Sequence, residues 1–155
     1  MPEITIGSAP PAFKLAATGG ATITSSALKG APYVIYFYPK ADTTGCTKQA
    51  QDFEENLAAF KKLGATIIGV SRDPMPALEK FAAKYGLTFA LGSDADGAVT
   101  EAFGVWVEKS MYGRKYMGIE RTSFLVDADG KITAAWHKVK VPGHVQAVLT
   151  ALKTL

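Results

Sequence analysis

Apolar residues along the chain fall into two kinds of run, continuous ones and ones spaced at three and four residues, and each predicts a different element. In PYVIYFYP (32–39), Tyr33, Val34, Ile35, Tyr36, Phe37 and Tyr38 follow one another without alternation, the pattern of a strand buried on both faces. ATIIGVS (65–71) repeats it, and TFALG (88–92) predicts a shorter strand. From Cys46 onward, Ala50, Phe53, Leu57 and Phe60 recur at helical spacing, while Lys48, Gln51, Asp52, Glu55 and Lys62 fill the other side. Gly64 ends that helix. A second one carries Met75, Leu78, Phe81, Ala82 and Tyr85 and closes at Gly86, a third is expected near Ala95 to Phe103, and a last one follows Pro142-Gly143 with Val145, Val148, Leu149 and Leu152. Ala12 to Leu15 and Thr22 to Thr24 predict a hairpin around Gly19-Gly20, and MGIERTSFLVDADGKITAAWHK (117–138) predicts two strands joined at Asp127 to Gly130.

Strands alternating with helices, then a hairpin and a terminal helix, predict an α/β fold: a mixed central sheet with helices on both faces and an N-terminal hairpin. That order fits a thioredoxin-like arrangement. With no repeats and no low-complexity linker, residues 1–155 are expected to form one domain. In open sheets of this kind ligands bind beyond the carboxyl ends of the strands, where the loop PKADTTG (39–45) must lie.

Charge narrows the function. The net charge is +3, yet seventeen Lys and Arg are interleaved with fourteen Asp and Glu, so no dedicated nucleic-acid face is expected. MPEITIGSAPPAF lacks the basic start and apolar core of a targeting signal, and no later stretch is apolar enough to span a bilayer, so a soluble cytoplasmic protein is expected. The single cysteine, Cys46, permits no internal disulfide and no cysteine-rich zinc site; it is either an inert core thiol or a reactive one kept reduced.

Its position favours reactivity. Cys46 opens a helix, where unpaired amide groups and the positive end of the helix dipole favour the thiolate. Pro39 stiffens the loop entrance, Thr43 offers a hydroxyl, and Gly45 permits close approach to the backbone. A thiol-disulfide exchange protein is the second reading, but Thr43-Thr44-Gly45-Cys46 supplies one thiol where exchange needs two. A non-catalytic module is the third.

The pattern Pro39-x-x-x-Thr43-x-x-Cys46 after a buried strand closely resembles the active-site motif of peroxiredoxins, and YPKADTTGCT resembles that of the bacterioferritin comigratory, or Q, branch. GVWVEKSMYGRKYMGIERTSFLVDADG and KVKVPGHVQAVL are similar to the matching stretches of that branch, so the resemblance covers nearly the whole chain. It implies thiol-dependent reduction of hydrogen peroxide and organic hydroperoxides in antioxidant defence, with Cys46 as peroxidatic nucleophile and Arg121 as its cationic partner. Thr43 and the Cys46 amide are expected to orient the peroxide. No prosthetic cofactor or metal is implied. Many relatives carry a second, resolving cysteine, but Gln51 and Lys84 stand in the regions where they place it. A one-cysteine cycle is therefore expected, with electrons from an external thiol such as thioredoxin or glutathione with glutaredoxin. Relatives of the branch are often monomers or weak dimers, and a monomer is expected, a weak dimer being the alternative.

Other residues carry blander readings. His137 and His144 are expected at the surface or in hydrogen bonds, and the two Asp-Ala-Asp-Gly stretches (94–97, 127–130) are turns, because they lack the remaining ligands of a calcium loop. Lys109, Arg114, Lys115 and Tyr116 are expected in a solvated loop covering the site. Phe37, Phe53, Trp106, Val107 and Met111 suggest an apolar collar around it.

Overall fold

A computed structural model describes residues 4–155; residues 1–3, the start of the stretch read against a targeting signal, lie outside the described residues. The chain opens with β1 (Lys14–Ala17), a 3-10 turn over Thr18–Gly20, β2 (Ala21–Thr24) and the short helix α1 (Ser25–Leu28). β3 (Tyr33–Phe37), α2 (Thr44–Glu55), α3 (Leu57–Lys62), β4 (Thr66–Ser71), α4 (Met75–Tyr85) and β5 (Ala90–Ser93) form the alternating half. Then come α5 (Ala98–Ala102), β6 (Trp106–Met111), β7 (Arg114–Ile119), β8 (Thr122–Val126), β9 (Ile132–Trp136) and α6 (His144–Lys153).

Seven strands form one mixed sheet in the order β2-β1-β5-β4-β3-β8-β9. β3, β4 and β5 run parallel, and β1 and β8 join them antiparallel. Every residue of β3 is buried, as its unbroken apolar run demands, and its side chains divide between two cores. Val34, Tyr36 and Tyr38 pack with Phe53, Phe60, Leu78, Phe81 and Val148 beneath α2, α3, α4 and α6. Tyr33, Ile35 and Phe37 pack on the opposite face with Val70, Val99, Phe103 and Phe124. The predicted class, thioredoxin-like with helices on both faces, is the observed one.

Three local expectations are corrected. The helix expected from Cys46 to Gly64 breaks at Asn56, whose side-chain amide donates to the Asp52 carbonyl at 2.8 Å and so competes with the helix ladder. The segment expected as a solvated loop is instead the hairpin β6–β7, turning through Tyr112 and Gly113 at φ 52° and 78°. Its strands hide little surface, so no alternation of apolar and polar residues betrayed them; two residues in the left-handed region make the tight turn. The expected apolar collar is also revised. Phe37 and Phe53 are fully buried in opposite cores, while Met111, at 55% exposure, lies at the hairpin tip.

Both Asp-Ala-Asp-Gly stretches are turns. The Asp94 carboxylate accepts the amides of Val99 and Thr100 at 3.0 and 2.7 Å, capping α5, and Asp127 Oδ1 accepts those of Asp129 and Lys131 at 3.0 and 2.9 Å.

Candidate active site

The site lies where β3 ends and α2 begins. The pairing of β3 with β4 runs one residue past the strand, the Tyr38 amide donating to Val70 O at 3.1 Å, and Pro39 then turns the chain outward. The loop that follows is held by a bond within itself and by bonds to Asp73, Lys84 and Tyr85. The Ala41 amide donates to Asp73 Oδ2 at 2.8 Å, the Thr43 hydroxyl to the Lys40 carbonyl at 2.8 Å, and the Asp42 carboxylate accepts Tyr85 Oη at 2.6 Å and Lys84 Nζ at 3.0 Å. Asp42 sits at φ 61°, a left-handed conformation that aspartate tolerates better than most residues.

α2 starts at Thr44, two residues earlier than the apolar spacing shows, so Cys46 falls inside its first turn. The first intrahelical amide bond there runs from Thr47 to Thr43 O at 2.8 Å, which leaves the amides of Thr44, Gly45 and Cys46 without helical partners. Cys46 itself is 2% exposed and packs in the core beneath α2 beside Tyr36 and Tyr38. The hydroxyls of both tyrosines are buried with no hydrogen-bond partner, and burial pushes both phenols above their ordinary value.

Arg121 arrives from the connection between β7 and β8. That connection is pinned on both sides: the Glu120 amide donates to Val105 O at 2.7 Å, and Arg121 O accepts the Val139 amide at 2.9 Å. The guanidinium then reaches Cys46 Sγ through Nη2 at 3.3 Å and Gln49 Oε1 through Nη1 at 2.6 Å. It lies against Gly45, where a Cβ would stand 3.2 Å from Nη2. The glycine expected to let a substrate approach the backbone thus admits the arginine.

Of the four residues singled out in the sequence, Cys46 and Arg121 meet. Thr43 and Pro39 sit on the loop before α2: the Thr43 hydroxyl donates to the Lys40 carbonyl, and Pro39 lines a groove. Gln49 was not anticipated. It is a fully buried polar residue on the apolar stripe of α2, one turn beyond Cys46 and in step with Ala50 and Phe53, and that misplaced polarity was its only signal. His137 is exposed beside Glu120, and His144 is buried with Nε2 2.8 Å from Ser123 Oγ. Among the described residues no group of three or more His, Cys, Asp or Glu could hold a metal ion, and no helix is long and apolar enough to cross a membrane.

A buried thiol in the first turn of a helix, held by a guanidinium at the carboxyl edge of a thioredoxin-like sheet, defines a thiol-dependent peroxidase rather than a dithiol exchange protein. Comparison with known proteins agrees. The model of the AhpC/TSA family matches residues 6–135. The chain is 50% identical to Peroxiredoxin Bcp of Xanthomonas campestris over 139 residues, 90% of this chain and 87% of that one. With Peroxiredoxin Bcp of Escherichia coli K12 it shares 42% identity over 153 residues, 99% of this chain and 98% of that one. Among solved structures, a cysteine-to-serine mutant of Xylella fastidiosa PrxQ superposes with a TM-score of 0.93 at 38% identity, covering 99% of this chain and 98% of that one. The Xanthomonas campestris bacterioferritin comigratory protein, solved in trapped intermediate and ligand complexes bearing on its alkyl peroxide reduction, superposes with a TM-score of 0.87 at 48% identity, covering 92% of this chain and 90% of that one. The chain belongs to the AhpC/TSA family, within its Bcp and Q-type peroxiredoxins, and carries a single cysteine.

Proposed function

We propose that Cys46 is the peroxidatic nucleophile and that this enzyme reduces hydrogen peroxide and organic hydroperoxides in a one-cysteine cycle. The Cys46 thiolate attacks one peroxide oxygen; an S–O bond forms, the O–O bond breaks, and hydroxide or alkoxide leaves and takes up a proton. Sulfur is oxidised to the sulfenic acid and keeps one peroxide oxygen, while the other oxygen departs as water or an alcohol. The observation that carries this reading is the contact of 3.3 Å between Arg121 Nη2 and Cys46 Sγ. A guanidinium stays protonated at any working pH, so it supports the anionic sulfur and offers donors to charge growing on the leaving oxygen. Thr43 and the Cys46 amide, which has no helical partner in the first α2 turn, orient the peroxide, and Pro39 stiffens the loop entrance.

The cycle needs a thiol from outside, because Cys46 is the single cysteine of the chain. An external thiolate attacks the sulfenic sulfur, water leaves, and a second thiol reduces the mixed disulfide. Thioredoxin, or glutathione with glutaredoxin, fits that chemistry, as does a reducing cytoplasmic setting, and no prosthetic group enters it. We read the protein as a monomer.

Stopped-flow oxidation by hydrogen peroxide tests the roles. Cys46→Ser should abolish the reaction, and Arg121→Ala should slow it by about a hundredfold, since loss of one charge-stabilising donor costs roughly 3 kcal/mol. An Arg121→Ala protein that oxidises at the native rate would remove the arginine from the mechanism. Intact-mass measurement after one equivalent of peroxide and each candidate thiol identifies the reductant.

A further inference from the structure

A groove of about 370 Å³ is bounded by Pro39 and Lys40 on the loop that leads into α2, by the turn Arg72–Pro74, and by the hairpin face carrying Lys109, Tyr116 and Met117 and running on through Gly118 and Ile119 toward Arg121. Three cations line it and one carboxylate. Arg72 is already engaged: it donates to Thr100 Oγ1 at 2.9 Å and Gly97 O at 3.3 Å, and it stacks 3.4 Å over the Trp106 ring. Asp73 is engaged too, accepting the Ser71 hydroxyl at 2.6 Å and the Ala41 amide at 2.8 Å. Lys40 and Lys109 have no carboxylate within 4.0 Å among the described residues.

Lys109 is held in place by its neighbour strand. Its stem crosses Gly118 so closely that a Cβ there would stand 3.2 Å from Lys109 Cδ, and a methyl at that position would make the stem shift. Its ammonium is disfavoured first by burial and then by Arg121, while Cys46 and Glu120 act in the opposite sense. A half-buried cation that faces a second cation and lacks a close carboxylate is electrostatically incomplete, and an anion completes it. Trp106, Tyr116 and Met117 supply apolar walls next to that charge.

We infer that the groove is an anion subsite in which Lys109, assisted by Lys40, binds the carboxylate of a partly apolar co-substrate whose reactive end is directed at Cys46. The inference rests on the peroxidatic role of Cys46. Two molecules in the cycle could bring that carboxylate, the organic hydroperoxide or the low-mass thiol that reduces the sulfenic acid, and the two half-reactions separate them.

In the oxidative arm, reduced enzyme is mixed with a fatty-acid hydroperoxide and, separately, with neutral cumene hydroperoxide. In the reductive arm, peroxide-treated enzyme is mixed with 3-mercaptopropionate and, separately, with neutral 2-mercaptoethanol, compared per thiolate. The native protein is expected to prefer the anionic member in one arm, which names the source. There, Lys109→Gln should lower the anionic-to-neutral ratio of rate constants by about tenfold, Lys40→Gln should lower it less, and Lys109→Arg should retain it. Gly118→Ala, which displaces the lysine and keeps its charge, should lower it in the same arm. Native protein that reacts with hydrogen peroxide but shows no charge preference in either arm, or a ratio indifferent to Lys109→Gln, would overturn the subsite alone. Native protein inert to hydrogen peroxide would remove the peroxidase role itself.

Discussion

Gln49 shows how a residue that touches no substrate shapes this site. Its carbonyl oxygen accepts Arg121 Nη1 at 2.6 Å, while its own amide nitrogen is buried without a partner. A buried polar group left half-satisfied is costly, and here the cost accompanies a guanidinium fixed in direction. Gln49→Ala should therefore leave the fold in place and slow peroxide oxidation by roughly tenfold or more, the effect of losing one charge-assisted hydrogen bond. Gly45→Ala tests the same geometry from the other side, because its Cβ would stand 3.2 Å from Arg121 Nη2. Stopped-flow traces of both variants should show slower oxidation with unchanged circular dichroism; native rates in both would mean that the position of the arginine is not what limits the reaction. Cys46 was legible from its neighbours in the chain, and Gln49 was not, because a lone glutamine on an apolar stripe acquires meaning only when its partner is known.

At the scale of elements, the loop before α2 is tied to α4. Asp42 forms an ion pair with Lys84 and accepts a hydrogen bond from Tyr85. Cys46 is 2% exposed, so its exposure to a reagent in solution would require the first turn of α2 to open. The Asp42 contacts oppose that opening. Asp42→Gly keeps the left-handed backbone and removes the side-chain bonds to Lys84 and Tyr85, and it should raise the alkylation rate of reduced Cys46 by about fivefold, a modest figure because the contacts are exposed. Equal alkylation rates would show that the tie does not govern access. The same scale exposes the main misreading of sequence. Strands β3 and β4 were legible because burial on both faces imposes an unbroken apolar run, whereas β6 and β7 pair mainly with each other and leave most of their residues accessible.

Across the whole molecule, α6 closes over the sheet through a buried histidine. His144 packs edge-on against Phe53 and Trp136, and its Nε2 meets Ser123 Oγ on β8. Burial, with Arg121 adding to it, lowers its pKa from 6.5 to about 4. The unfolded chain thus takes up a proton near 6.5, and the folded one only near 4, so the folded state loses stability as pH falls between those values and keeps it above 6.5. The loss is on the order of 2 kcal/mol. Urea unfolding at pH 7.5 and 4.5 should show a smaller decline for His144→Gln than for the native protein; parallel declines would exclude His144 as the source.

The amino-acid sequence alone determined the alternation of strands and helices, a helix beginning close to the thiol, and the lack of a second thiol in the chain, since each depends on residues adjacent in the chain or on a simple count. The family resemblance pointed to Arg121, but nothing in its own neighbourhood marked it. Tertiary structure decided the rest. Arg121 and Cys46 lie 75 positions apart, and Arg121 and Gln49 72, so their meeting depends on β8 pairing with β3 and on α2 packing over that pair. Periodicity arises from short-range geometry and carries no information about which distant side chain will fill the space beside a buried sulfur; the order of the sheet supplies it.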